Sequence, residues 1–308
     1  MEQLIQVLDM QFFLEHILYF GGLLGCFAFL GIGSELLSGR VLARERKRSS
    51  YDKCAFQLLW IGLGIGWLLM VAMKAWLVMD HGFTLPKDMH ASFLEILWSF
   101  LAIATLFLTN YAFVWKRVAK KNLLQSILSG ICLGFGSFAV LLFLAYTRLV
   151  SLSPLTDLPN LSALSALLIP PFHSEAFFAL LLFLPFFFLL PLSFGTMGLL
   201  VVRSHFDYGR DHYNIAFQWL CGVAKIWAGI VLLLLVGRMG LLFWQTREAP
   251  DITAFIPYGI LSLCMLLATG VFACVSKSTL PLRHKLVLVI ADLLSIFVFL
   301  RIVHIWLH

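Results

Sequence analysis

Charged side chains are scarce in this chain. Lys, Arg, Asp and Glu make up 12% of its 308 residues, against about 25% in soluble domains. A soluble fold with an ordinary charged surface is therefore excluded. Basic residues are missing from Met1 to Gln11, which carry Glu2 and Asp9. A cleavable signal peptide needs a basic leading segment, so the first apolar run is expected to be a retained span. No Cys-x-x-Cys and no Cys-x-x-Cys-His occurs among the six cysteines. That pattern supports neither a zinc ribbon nor covalent c-type haem. The scattered cysteines are expected to act as small apolar packing residues.

Apolar residues are abundant, at 61% of the chain, and the mean hydropathy is +0.95. A membrane span needs ~20 apolar residues. Eight such runs are predicted, over 12–38, 54–79, 90–115, 123–149, 174–202, 214–244, 253–276 and 286–306. The expected fold is an all-α integral membrane protein, a single transmembrane domain over residues 1–308 with no soluble module. The longest connection, residues 151–171, carries Ser and Pro breakers around an apolar stretch. It reads either as a structured connector or as a partner-docking or quinone-covering segment.

Positive charge is unevenly divided among the loops. Arg40, Arg44, Arg46, Lys47, Arg48 and Lys53 follow the first run, and Lys116, Arg117, Lys120 and Lys121 follow the third. Arg203 and Arg210 follow the fifth; Lys277, Arg283 and Lys285 follow the seventh. The alternate loops hold only Lys87 and Arg247. The positive-inside rule then puts both termini outside, as expected for a multi-pass protein of a bacterial inner membrane. The net charge of +6 is mainly this topology signal, so no nucleic-acid partner is expected.

Under that topology, five histidines collect on the outer side: His16, His81, His90, His173 and His304. An imidazole in lipid is costly without a partner, so several at one depth suggest a shared ligand. Haem iron suits paired histidines on facing helices of a four-helix bundle. The candidate iron ligands are His173, His16, His90 and His304. His81 reads as solvated, and His205, His212 and His284 as interfacial residues of the inner side.

A second signal is misplaced positive charge. Lys74, Arg148, Arg238 and Arg301 lie in the outer parts of their runs, where the loops are poor in Lys and Arg. Each needs an anion there. Haem propionates would supply one, and Arg can bind them bidentately. Snorkelling, or pairing with Asp80, Glu15 or Glu95, is the alternative. Arg301 and His304 are three residues apart and share a helix face. Glu95 is a candidate catalytic carboxylate for quinol protons, or the structural partner of a basic neighbour. Asp292 is expected to form a static ion pair with Lys225. The fifth run is Phe-rich with Pro185 and Pro191, and reads either as lipid-facing or as a flat-walled slot for a porphyrin or quinone.

These residues in this order resemble subunit I of the cytochrome bd quinol oxidases over about residues 10–200. An early histidine on the first span of that family binds haem, and His16 occupies that place. Phe172-His173 resembles the Phe-His pair that opens the family's fifth span and ligates its low-spin haem. Glu95, in FLEILWSFLAIA, resembles a glutamate near the outer start of the third span. LLQSILSGICLGFGSFAVLLFLAYTRL resembles the fourth span. The chain departs from the family elsewhere. The family's second glutamate of the third span falls near Ile103. The long quinol loop between spans six and seven is replaced by QTREAPD, and its methionine ligand has no clear equivalent. His90 or His304 could stand in as a sixth ligand.

The resemblance and its departures together imply a membrane b-type cytochrome subunit of a quinol or quinone oxidoreductase complex. It would contain haem b, bind quinone or quinol, and pass electrons between the quinone pool and an extracytoplasmic partner, a c-type cytochrome or another redox subunit. Two alternatives stand beside this reading: a true bd-type oxidase subunit that reduces oxygen, and a haem-free transporter or membrane anchor.

Overall fold

A computed structural model describes residues 49–81, 89–118, 130–131, 134–135, 138–145, 174–203, 208–245 and 252–307. The described elements are helical, with no strand among them. They are α1 (Ser49–His81), α2 (Met89–Val118), α3 (Glu175–Val202), α4 (Arg210–Gln245), α5 (Ile252–Lys277) and α6 (Lys285–Leu307), with a 3-10 turn at Pro281–His284 before α6. All six helices are long and apolar enough to cross a membrane. The protein is therefore an all-α, multi-pass membrane protein.

The predicted runs match these helices with ends displaced outward, most clearly in α1 and α4. The apolar run marks what lies in hydrocarbon, whereas a helix continues until its backbone finds another way to satisfy its groups. So α1 begins before Asp52 and Lys53, and α2 runs on through Lys116 and Arg117. The predicted run 12–38 lies outside the described residues. Within 123–149, residues 138–145 are helical. The connection 151–171 also lies outside them.

The helices fall into two compact units, α1 and α2 with residues 138–145 in one and α3 to α6 in the other. In the first unit α1 and α2 run antiparallel. Trp98 Nε1 donates to the Met70 carbonyl at 3.0 Å and Trp67 Nε1 to Thr109 Oγ1 at 3.3 Å. Phe100 meets Phe138 with ring centroids 4.7 Å apart, and Phe107 stacks on Phe135 at 6.3 Å. Leu58, Leu59, Leu97 and Ala104 are fully buried. Trp60, Leu68 and Phe113 point outward, as lipid-facing residues do.

In the second unit, α3 begins at a defined cap. Ser174 has extended backbone and its Oγ accepts from the Phe177 N–H at 3.1 Å. This satisfies one of the four orphan donors of the first turn, and Glu175 adds negative charge at the positive end of the helix dipole. Pro185 and Pro191 lie inside α3. Before α4, Gly209 takes φ +87°, a left-handed conformation that a side chain would disfavour. It lets the chain turn back so that α4 runs antiparallel to α3. Arg203 then lies over the Tyr213 ring at 5.7 Å at one end of this pair, and Phe188 stacks face to face on Trp227 at 4.2 Å in the middle. Gln218 Nε2 donates to the Ser278 carbonyl at 2.7 Å, fixing the turn after α5 against α4. Packing of α6 on α3 is aromatic: Phe299 meets Phe186 at 5.4 Å and Phe183 at 6.0 Å.

Those contacts answer the question posed by the Phe-rich run. Phe183 and Phe186 are buried against α6, and the half-buried Phe188 stacks on Trp227 of α4, so these rings are used in helix packing. Cys54 and Cys221 are buried and outside any disulfide, as expected for packing residues; Cys264 is half-buried, and Cys274 is exposed.

Candidate functional site

Antiparallel packing brings the start of α3, the end of α4, the start of α5 and the end of α6 to one end of the second unit. Arg238 of α4 is buried there, at 8% exposure. Its Nη2 lies 3.9 Å from Glu175 Oε1 on α3, at the limit of an ion pair. Glu175 itself is mostly exposed. The guanidinium also sits over the Phe178 ring at 5.7 Å, a cation–π contact that recovers only part of the desolvation cost. Phe178 in turn meets the Tyr258 ring edge-on at 5.9 Å. Arg238 Nε is buried with no hydrogen-bond partner among the described residues. The buried Tyr258 hydroxyl is close enough to Arg238 and Glu175 to feel both charges but makes no hydrogen bond of ordinary geometry. A buried donor left open in this way marks a place able to take an anion.

Arg301 is buried and His304 half-buried, one turn apart on α6. They belong to the same end, because Phe299 packs against Phe183 only two turns into α3. Two arginines and an imidazole at one end of a four-helix unit are groups that would suit a carboxylate-bearing, metal-centred ring: His304 would supply a nitrogen, and Arg238 and Arg301 would pair with its carboxylates. The donor chemistry at this end thus fits haem b.

Lys74 and Glu95 belong to the first unit, and they face one another. Lys74 Nζ is 2.7 Å from Glu95 Oε1, with side chains 42% and 34% exposed. Lys74 also lies over the Trp98 ring at 4.8 Å. The residues read from the sequence as an anion site and as a proton-carrying carboxylate are each other's partner. His16, His173 and Arg148 lie outside the described residues. His90 lies in the first turn of α2, and its side chain is outside the described residues.

No protein family, curated protein or solved structure matches this chain.

Among the described residues, no three His, Cys, Asp or Glu side chains gather closely enough to hold a bare metal ion. A haem asks less of the chain, since the porphyrin supplies four of the iron's ligands and the protein one or two.

Asp292 corrects one expectation. It does not pair with Lys225. Asp292 is fully buried on α6, and its Oδ2 lies in hydrogen-bond contact with Thr196 Oγ1 of α3 at 2.6 Å. Cys221, not Lys225, is the α4 residue near enough to feel its charge. Sequence gives the approximate depth of a residue in its span but not which neighbouring helix it meets, and Asp292 meets Thr196 of α3. Sequence reasoning also missed Glu175 and Tyr258. Glu175 was legible, two residues after His173 and in the first helical turn. Tyr258 carried no signal. His212 differs from the interfacial reading too: it is buried, with the Tyr208 and Tyr213 rings edge-on at 5.3 and 5.0 Å.

Proposed function

We propose that this chain is a membrane b-type cytochrome subunit akin to subunit I of the cytochrome bd quinol oxidases. It passes electrons between membrane quinone and an extracytoplasmic partner such as a c-type cytochrome. The observation that carries the reading is Arg238, a buried guanidinium with an open Nε at the end of the unit where Arg301 and His304 also lie. The same end receives the chain from His173, the leading candidate ligand, one residue before the cap of α3. In this reading that end faces the outside of a bacterial inner membrane, and both termini lie on the same side. Haem b, when bound, supplies one-electron redox chemistry. The chain's part is to hold it: His173 and His16, with His304, as ligands, and Arg238 and Arg301 as partners for its carboxylates. Glu95 is the candidate proton acceptor or donor for quinone.

A reduced-minus-oxidised absorption spectrum of the purified protein, with pyridine haemochrome quantitation, tests the reading directly. A b-type signal at one haem or more per chain is expected. A colourless, fully folded protein would leave the transporter or anchor reading in its place. Rapid cyanide-tolerant oxygen consumption with quinol would replace electron transfer by oxygen reduction.

A further inference from the structure

A second polar cluster lies within the bilayer-spanning part of the same unit, away from Arg238 and Arg301. Asp292 lies seven residues into α6, about 10 Å from its start at the rise of an α-helix. Thr196 lies six residues from the last residue of α3, about 9 Å by the same measure. The two helices therefore present these side chains at one depth, nearer the end that carries Arg203, Arg210 and Lys285. Asp292, Thr196 and Ser193 are each fully buried. Asp292 forms no ion pair with any described residue. On α4 the titratable group facing it is Cys221, a buried thiol. Lys225, one turn along, forms no ion pair among the described residues. On α3 the facing groups are two hydroxyls.

The hydrogen count is informative. Thr196 Oγ1 is 2.6 Å from Asp292 Oδ2 and 2.9 Å from the Ser193 carbonyl oxygen. Both distances are hydrogen-bonded, but a threonine hydroxyl has one hydrogen, and a carbonyl and a carboxylate can only accept. The second hydrogen has one available source, the carboxyl group itself. A neutral Asp292 donates from Oδ2 to Thr196 Oγ1, and Thr196 donates onward to the Ser193 carbonyl. Two polar atoms are then held in reserve. Asp292 Oδ1 and Ser193 Oγ are buried without a hydrogen bond, and the Ser193 hydroxyl lies beside the same carboxyl.

We infer that Asp292, Thr196 and Ser193 form a proton-exchange site inside the membrane, in which two rotating hydroxyls accept the acid in one state and solvate the anion in the other. When the proton leaves Oδ2 for water at the nearer end, the carboxyl keeps the electron pair and becomes an anion. Thr196 then turns its hydrogen from the Ser193 carbonyl to Oδ2, and Ser193 turns its own to Oδ1. Uptake reverses each step. A proton on the carboxyl accounts for both short distances without any bound ion. The inference does not depend on haem.

Infrared spectroscopy of the full-length protein in lipid, with heavy-carbon-labelled aspartate, reads the site. At neutral pH, wild type should show the carbonyl stretch of a protonated carboxylic acid, absent in Asp292→Asn. The band should move in Thr196→Val, a nearly isosteric change that keeps the test available if Asp292→Asn fails to insert. In heavy water the band should shift as its hydrogen exchanges. A carboxylate signal at neutral pH, with or without added sodium, would overturn the proposal. So would an acid band that heavy water never shifts, since that proton is locked in place.

Discussion

Lys74 and Arg238 were singled out by one argument, as cations in parts of the chain otherwise poor in positive charge. Their surroundings differ. Lys74 has a carboxylate at 2.7 Å, an aromatic face at 4.8 Å and a half-exposed side chain. Its requirements are met within the described chain. Arg238 is almost fully buried, and among the described residues its nearest carboxylate oxygen is 3.9 Å away and its Nε has no hydrogen-bond partner. A guanidinium has five donors in a fixed fork, whereas an ammonium can be satisfied by one carboxylate and an aromatic face. Burial raises the cost of each donor left open. The comparison separates a completed structural pair from a site with unused binding capacity, which the sequence alone cannot do.

The largest expected effect concerns the end of the molecule that holds Arg238. His173→Ala should abolish the low-spin b-type absorbance while the protein still inserts, as judged by its yield in the membrane fraction and its thermal transition. His16→Ala should do the same, on the same haem or another. Unchanged spectra and haem stoichiometry in both variants would remove the reason to read Arg238 as a haem partner.

Next comes the direct comparison of the two cations. Arg238→Gln should lower the haem midpoint potential by something on the order of tens of millivolts, because a nearby positive charge favours the reduced, less positive iron. Lys74→Gln should shift it less, since Glu95 already neutralises Lys74. A redox titration in which Lys74→Gln moves the potential as far as Arg238→Gln does would collapse the distinction.

A smaller effect tests the pair itself. Glu95→Gln keeps the shape of the side chain and removes its charge. If Glu95 carries quinone protons, turnover should fall with haem content intact, and Lys74→Met should not rescue it. If Glu95 serves only to neutralise Lys74, the double variant should recover turnover. For stability, a double-mutant cycle should give a coupling of about 0.5–1 kcal/mol, the range of partly exposed pairs.

The contrast also marks what was legible in the sequence. Hydropathy placed all six described helices to within a few residues, because hydrocarbon thickness sets the length of an apolar run. Depth along a span was equally readable: Arg238, Arg301 and His304 do share one end of their unit. Azimuth was not. Asp292 and Lys225 are at compatible depths, yet Asp292 faces Thr196. The moderate amphipathicity of a membrane helix gives little information about which side faces a neighbour, since lipid and protein interior are both apolar. Tyr258 was invisible for the same reason. Nothing in an apolar run announces that one tyrosine meets an arginine on another helix.

The smallest predicted effect lies where the chain enters the Arg238 end. Ser174 caps α3, its Oγ accepting from the Phe177 N–H at 3.1 Å. Ser174→Ala removes that acceptor and should cost about 1 kcal/mol of stability, whereas Ser174→Thr should cost less because it keeps the hydroxyl. The cap orders the first turn of α3, which holds Glu175 within 3.9 Å of Arg238 and carries Phe178 beneath the guanidinium. Fraying of that turn loosens the carboxylate and the aromatic face that meet Arg238 among the described residues, and it also loosens the entry from His173. Unfolding in mixed detergent should register the stability loss in Ser174→Ala. The haem spectrum should keep its intensity and broaden slightly, as the ligand-bearing entry samples more geometries. If the stability loss appears with no change at all in the haem spectrum, the cap serves the helix alone and the start of α3 does not position the ligand.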